Sequence, residues 1–471
     1  MAGNGARALG AGICAVALGL ALSSPAAADT FTVSKRGDPA PGACSASHCT
    51  LREAVLAANA AAGADAIRLP SRRTYQLSIP NAGGGAADGD LDVSGGPLRV
   101  THPGRGRATI DNNPEGDGLP DPLDRIFETA PATPLALRKI TVTDGGDPSD
   151  SGRGGGIRAL GNLRLIRSRV AGNESSNLGG GISVEAGANL LVRRSQVIGN
   201  RTTFNAGGGI SMLNGVVTID RSVVTNNLSS TDGGGIYFDG DDALATSTIR
   251  DSTIAGNRAD GNGGAISADD GALTITGSTF SGNRAEDGDG GAIWNDEFTL
   301  RLVNSTLTRN RATGVGGAID AHNGSNELNA VTIVRNVGNT DGIGSEAGGG
   351  IFAGEFSDPV EVTNSLIALN RLVDVGGGGT FANDCSGEPF ASGGHNLLST
   401  RFLCDGFDAP GDLARSDPKL GPLARNGGPT KTVALKRGSP AIGKADRESA
   451  PARDQRGRAR DRRPDIGAFE R

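Results

Sequence analysis

Between Gly154 and Ile351, short apolar runs recur at a near-constant interval, each opened by Gly-Gly-Gly-Ile or Gly-Gly-Ala-Ile and each closed by an Asn. The isoleucines are Ile157, Ile182, Ile210, Ile236, Ile266, Ile293, Ile319 and Ile351, at steps of 25, 28, 26, 30, 27, 26 and 32 residues. Asn173, Asn200, Asn227, Asn257, Asn283, Asn310, Asn336 and Asn370 keep pace with them. Inside a run, apolar and polar positions alternate, which predicts short strands: Gly263 to Asn283 reads as about three, separated by turns. A unit this small cannot bury its apolar face alone, so the copies must stack and share one core. The pattern predicts an all-β fold, a right-handed parallel β-helix solenoid. About eleven rungs at a ~4.8 Å strand spacing would make a rod on the order of 50 Å long.

The periodicity changes toward both ends and divides the chain. Residues 1–28 read as a signal peptide, with Arg7, an apolar stretch from Leu9 to Leu22, and Ala26-Ala27-Ala28 for cleavage near Ala28. That stretch is too short to span a bilayer, and no second apolar segment follows. Residues 29–64 form an N-terminal cap, in which Thr50 and Glu53 make a capping box for a helix carrying Leu51, Val55 and Ala58 until Gly63. Residues 65–375 are the β-helix, with regular repeats over about 154–370, and 376–471 hold the final rungs and a C-terminal region that caps the stack.

Composition supports a thin solenoid rather than a wide globule. Aromatics are only 3% of the chain, while glycine supplies 76 residues for tight turns and close rung contacts. The formal charge of −6 disfavours nucleic acid and acidic polymers as general partners. Export makes disulfides the default for the local pairs Cys44 with Cys49 and Cys385 with Cys404. Zinc at Cys44, His48 and Cys49 would lack a fourth nearby ligand. The expected molecule is therefore a secreted or cell-surface monomer without a transmembrane segment.

Cys49-Thr50-Leu51-Arg52-Glu53-Ala54 resembles the N-terminal motif of the family named for its Cys-Ser-Leu-Arg-Glu-Ala string, with Thr50 in the serine position. Asp417 to Leu423, Asn426 to Thr430, Gly438 to Ile442, Asp454 to Gly457 and Asp465 to Glu470 are similar to the choice-of-anchor Q domain. The resemblance implies an exported bacterial β-helix of the pectin-lyase-like type and transfers no catalytic residue. A sorting tail often follows that domain, whereas this sequence stops at Arg471, so release is the simpler expectation.

Compact catalytic signatures are absent from the sequence: there is no Gly-x-Ser-x-Gly and no His-Glu-x-x-His. Gly438 to Lys444 imitates a phosphate loop but continues with Ala445. The patch Asp287-Gly288-Asp289-Gly290-Gly291 hints at calcium without the tandem repeats that build such sites, and no other cofactor is expected. Arg453 to Arg463, interleaved with acids, reads as a solvated cap.

Alternation about the isoleucines gives a sharper candidate. The residue two after each Ile faces the core: Ala159, Val184, Met212, Phe238, Ala268, Asn295, Ala321 and Ala353. Residues one and three after Ile then face outward. They place Tyr237 and Trp294 beside a column of Asp239, Asp269, Asp296 and His322. Carboxylates stacked ~4.8 Å apart repel, and one should be hard to ionise. A sugar polymer could stack on Tyr237 and Trp294 and bond to the three aspartates. Non-enzymatic binding of a carbohydrate or another partner on this face is the leading expectation. The alternatives are a polysaccharide-cleaving lyase or glycoside hydrolase with Asp239, Asp269, Asp296 and His322 as catalytic candidates, and a structural or adhesive rod.

Overall fold

A computed structural model describes residues 28–81, 85–112, 124–147, 149, 152–240, 246–342, 348–354, 358–373, 379–387 and 390–471. The expected signal peptide lies outside these residues, apart from Ala28. The repeats form a parallel β-solenoid whose strands stack in register from layer to layer. Each regular layer has four segments, for instance Ile182–Val184, Leu190–Arg193, Gln196–Ile198 and Arg201–Thr202. The fourth, a two-residue strand after each Asn, is too short to leave an alternation signal and was not among the three predicted. Among the described residues the segments build sheets of 22, 12 and 10 strands. The largest joins the first two segments, because Ile266–Thr276 and Ile293–Val303 run through both as single strands.

The isoleucines are the register marks of the solenoid. Ile157, Ile182, Ile210, Ile236, Ile266, Ile293, Ile319 and Ile351 pair successively in one parallel ladder. They and the residues two positions on are all buried, in a core continuous from Val33 to Phe407. The asparagines form a second ladder: Asn173 Nδ2 donates to Asn200 Oδ1 at 2.9 Å, and the pattern repeats through Asn336 to Asn370. Asp384 accepts from Asn370 at its end. The residue before each Asn, such as Gly172, Gly199 or Asn226, has a left-handed backbone. That turn aims the Asn side chain inward, where an amide left unpaired would be costly.

A serine ladder runs beside it, and Ser168, Ser195, Ser222, Ser252, Ser278 and Ser305 each stand five positions before an Asn. Each backbone N–H donates to the next hydroxyl, at 3.0 Å from Ser168 to Ser195. The fixed Ser-to-Asn interval was a readable signal that alternation alone did not raise.

Both ends are closed. Leu51–Ala60 forms the expected helix, with both bonds of the Thr50/Glu53 capping box. The buried Arg52 pairs with the buried Asp38 at 2.8 Å and donates to Gly89 O, which ties the helix to the first layers. Both expected disulfides form, Cys44–Cys49 and Cys385–Cys404. At the other end, Cys404 and Phe407 are buried over the last layer.

The chain then turns back and lies along the side of the solenoid. Thr430 Oγ1 donates to Gly277 O, Gln455 Nε2 to Ser278 O, and Ala468 N to Thr332 Oγ1. Leu420, Val433, Ile466 and Phe469 make a second core with Val334 and Leu366. The arginines expected to be solvated are partly internal. Arg456 pairs with Asp454 and lies 3.8 Å over the Phe469 ring, and Arg460 pairs with Glu470. The correction follows from the side-on docking, which gives this segment an interior of its own.

Candidate functional site

The first strand of each layer turns alternate residues away from the core, and their register makes the floor of a groove along the solenoid. Glu128, Arg158, Ser183, Ser211, Tyr237, Ser267, Trp294, Asp320 and Phe352 stack in consecutive layers. Two residues further on, Asp239, Asp269 and Asp296 pair in register as one rim. The opposite rim comes from residues just before the glycines. Asn262 N donates to Asp232 Oδ1 at 2.6 Å, Asp289 N to Asn262 Oδ1 at 2.9 Å, and Val315 N to Asp289 Oδ1 at 2.6 Å. Glycine is required there because the turn folds onto the strand: a Cβ on Gly233 would lie 2.5 Å from Ile236 O.

This folding corrects the expectation that the whole outward column is exposed. Ser183, Ser211, Ser267 and Asp320 are fully buried, whereas Tyr237 and Trp294 are partly exposed. Glycine turns close over the small residues, as at Gly207, where a Cβ would lie 2.9 Å from Ser211 Cβ. The larger rings stand clear of them. Two layers, roughly 10 Å, separate Tyr237 from Trp294.

His322 does not continue the carboxylate ladder. Its N–H donates to Asn295 O at 2.9 Å, and its ring stacks on Trp294 with centroids 6.2 Å apart and planes at 27°. Asn323 bonds to Asp296. Beside Asp239, Met212, Phe238 and Phe298 line a cavity of about 210 Å³ with Asp270 also on its wall.

Burial and crowding set the charge states of the floor and rims. Asp269 is raised above its ordinary value by partial burial and then by Asp296, Asp270 and Asp239. Burial, followed by repulsion from Asp239, Asp269 and Asp232, pushes the Tyr237 hydroxyl up to about 12, so it remains a donor at neutral pH. Asp320 is raised well above its ordinary value, by burial and then by Asp289 and Asp296, and neither of its oxygens has a hydrogen-bond partner. Alternation puts Asp320, one after Ile319, on the outward side of its strand but does not by itself reveal its isolation. The signal was available: it stands between Trp294 and Phe352, the rings of the adjoining layers.

The same groove is neutralised at its other end. Arg158 Nε bonds to Glu185 at 3.0 Å and Nη1 to Glu128 at 3.3 Å, while Arg153 bonds to Glu185 at 2.9 Å. Arg125 pairs with Glu128 and Asp147. Burial works to raise Glu185, but Arg158 and Arg153 outweigh it and hold the carboxyl below its usual range. Arg158 is consequently engaged and unable to serve the distant Asp239–Asp296 column. Among the described residues, no group of three or more His, Cys, Asp or Glu side chains is arranged to hold a metal ion.

Two of these turns, residues 251–269 and 277–296, match the Chlamydia polymorphic membrane protein repeat. The chain is a β-helix with turns of that type. The two matched repeats contain Asp269, Trp294 and Asp296, while Tyr237 and Asp239 lie in the layer before them. No curated protein matches the chain. The described helix is not long and apolar enough to cross a membrane.

Proposed function

We propose that this chain is an exported, non-catalytic β-helix that works at or outside the cell surface and binds a glycan on the Tyr237/Trp294 stretch of the groove. The observation that carries the reading is the pair of partly exposed rings two layers apart, bounded by Asp239, Asp269 and Asp296, which no described Lys or Arg neutralises. Ring faces stack on sugar C–H surfaces, and carboxylates accept from sugar hydroxyls. Two disulfides and the polymorphic membrane protein repeats support an extracytoplasmic setting. The likeness of Cys49 to Ala54 and of the C-terminal motifs to the Cys-Ser-Leu-Arg-Glu-Ala and choice-of-anchor Q proteins supports surface placement. The test is affinity electrophoresis against a panel of neutral polysaccharides. Trp294→Ala and Tyr237→Ala should each abolish retardation; equal retardation in both variants would remove the site.

One observation favours a second reading, polysaccharide cleavage. Asp269 is hard to ionise and stands beside Asp239 and Asp296, the kind of unequal carboxyl set that acid/base glycoside hydrolysis uses. Release of reducing ends or of unsaturated uronides, lost in Asp269→Asn, would establish it over simple binding. A rod that serves only as structure or adhesive would show neither retardation nor release.

A further inference from the structure

The corner between the second and third strands of each layer carries an unusual column. Register places Arg107, Lys139, Arg167, Arg194 and Arg221 in five consecutive layers, immediately before the third strand. Lys139, Arg167, Arg194 and Arg221 adopt φ of 57°, 54°, 51° and 49°, the left-handed region that favours Gly and Asn. At the same place the later layers carry Asp251, Gly277, Asn304, Ala330 and Asn364, all but Ala330 residues that take this conformation more easily. Four successive long cations are thus kept where the backbone disfavours them, the kind of strain that collects at functional surfaces.

The charge is also left uncompensated. Among the described residues, Arg138, Lys139, Arg164, Arg167, Arg193 and Arg194 make no ion pair, and only at the far end do Arg221 with Asp251 and Arg250 with Asp220 close the run. Arg169 Nε is buried without an acceptor, and its charge, after burial, depresses the pKa of the neighbouring Arg107. The formal charge of −6 hides this segregation: unpaired acids lie in the later layers of the groove and unpaired cations in the earlier layers of the corner.

The later half of the corner shows what the surface accommodates. There the protein's own C-terminal segment lies across the layers: Asn304 Nδ2 donates to Arg453 O, and Asn329 and Asn364 donate to Ser449. That segment reaches Gly277, leaving the basic layers uncovered by it.

We propose that the open corner binds a linear anionic polysaccharide, with about one carboxylate or sulfate per sugar, laid along the solenoid axis across Arg107, Lys139, Arg167 and Arg194. Cations repeat every ~4.8 Å along the stack, comparable with one sugar of an extended chain. Arginine forks pair two-pronged with carboxylate and sulfate-like groups. No aromatic residue stands in the corner column to stack bases, which argues against single-stranded nucleic acid.

The test uses the full chain on alginate, dextran sulfate, neutral dextran and duplex DNA. Asn tolerates the left-handed turn, so combined Lys139→Asn, Arg167→Asn and Arg194→Asn removes charge without straining the fold. Wild type should bind one or both anionic glycans and not dextran, with affinity falling as salt rises; the two glycan arms tell carboxylate from sulfate. The triple variant should lose at least ~10-fold, consistent with three lost ionic contacts, and should melt no lower than wild type. It should keep the retardation of neutral glycans attributed to the Tyr237/Trp294 groove, so the two sites fail independently. Equal binding by the triple variant, no binding at low salt, or tighter binding of duplex DNA would each overturn the proposal.

Discussion

The layers around Arg158 and those around Trp294 share one backbone, one register and one groove, yet they solve the problem of outward polar residues in opposite ways. Around Arg158, each acid that faces the groove meets an arginine: Glu128 and Glu185 are held by Arg125, Arg153 and Arg158. Around Trp294, Asp239, Asp269, Asp289 and Asp320 have no such partner, and aromatic rings replace the arginines. The corner reverses the arrangement. It is basic and open in the earlier layers, and neutral and covered by the C-terminal segment in the later ones. A scaffold whose glycines, isoleucines and asparagines are fixed leaves the outward positions free to vary by layer, so binding chemistry can differ along its length while the fold does not.

The largest effect should come from uncovering the later corner. Ile466 is fully buried in the second core, between the returning segment and the solenoid side. Ile466→Ala should cost about 3 kcal/mol of local stability. Hydrogen exchange should then quicken in Thr306–Thr308 and Thr332–Val334, which the segment covers, and stay unchanged in Gln196–Ile198, which it does not. Uniform quickening along all layers would mean that the two halves unfold as one unit and that the covered half draws no separate support from the segment.

A smaller effect, of opposite sign in the two halves, should come from pH. Glu185 is held below its ordinary 4.5, so its contribution is present above that value and is lost as pH falls through the lowered range. Asp320 is raised above 3.8, so stability is fullest below that value and declines as pH rises through the raised range. Acidification should therefore loosen the layers near Arg158 and tighten those near Trp294. At neutral pH, Arg158→Gln should lose about 1 kcal/mol, allowing for its partial exposure. Asp320→Ser, which places there the small residue found at Ser183, Ser211 and Ser267, should gain about 1 kcal/mol by removing an unpartnered buried acid. Melting of both variants from pH 3 to 8 checks the signs. If they shift in parallel with wild type, the contrast between the halves is not electrostatic.

These halves were unequally legible in the sequence. The isoleucine interval gave the register, and the register put Asp239, Asp269 and Asp296 in one column, because strand alternation is a strict geometric rule. Burial of Ser183, Ser211 and Asp320 was not legible, since it depends on how far the glycine turns fold over their own strands. The returning C-terminal segment was equally hidden. Its motifs were visible, but nothing local in Gln455 or Ile466 says which layers they dock against. His322 shows the limit of counting from the isoleucines: the position is right for the column, yet the layer ends early and the ring turns to Trp294.

The smallest effect tests whether the earlier corner is held for a purpose. A non-glycine residue in the left-handed region costs roughly 1 kcal/mol, and Asn pays less of it than Arg or Lys. Each of Lys139→Asn, Arg167→Asn and Arg194→Asn should then stabilise the protein by a few tenths of a kcal/mol, with a further gain from relieved repulsion that shrinks as salt rises. Asn364→Arg, in the covered half, should do the reverse, because it also loses the bonds from Asn364 Nδ2 to Ser449 and from Asp446 N to Asn364 Oδ1. If the three Asn variants instead melt below wild type, the cations earn their place by stabilising the corner, and no ligand is needed to explain them. If they melt higher, stability alone would have favoured Asn, and the arginines must answer to something the folded chain does not itself contain.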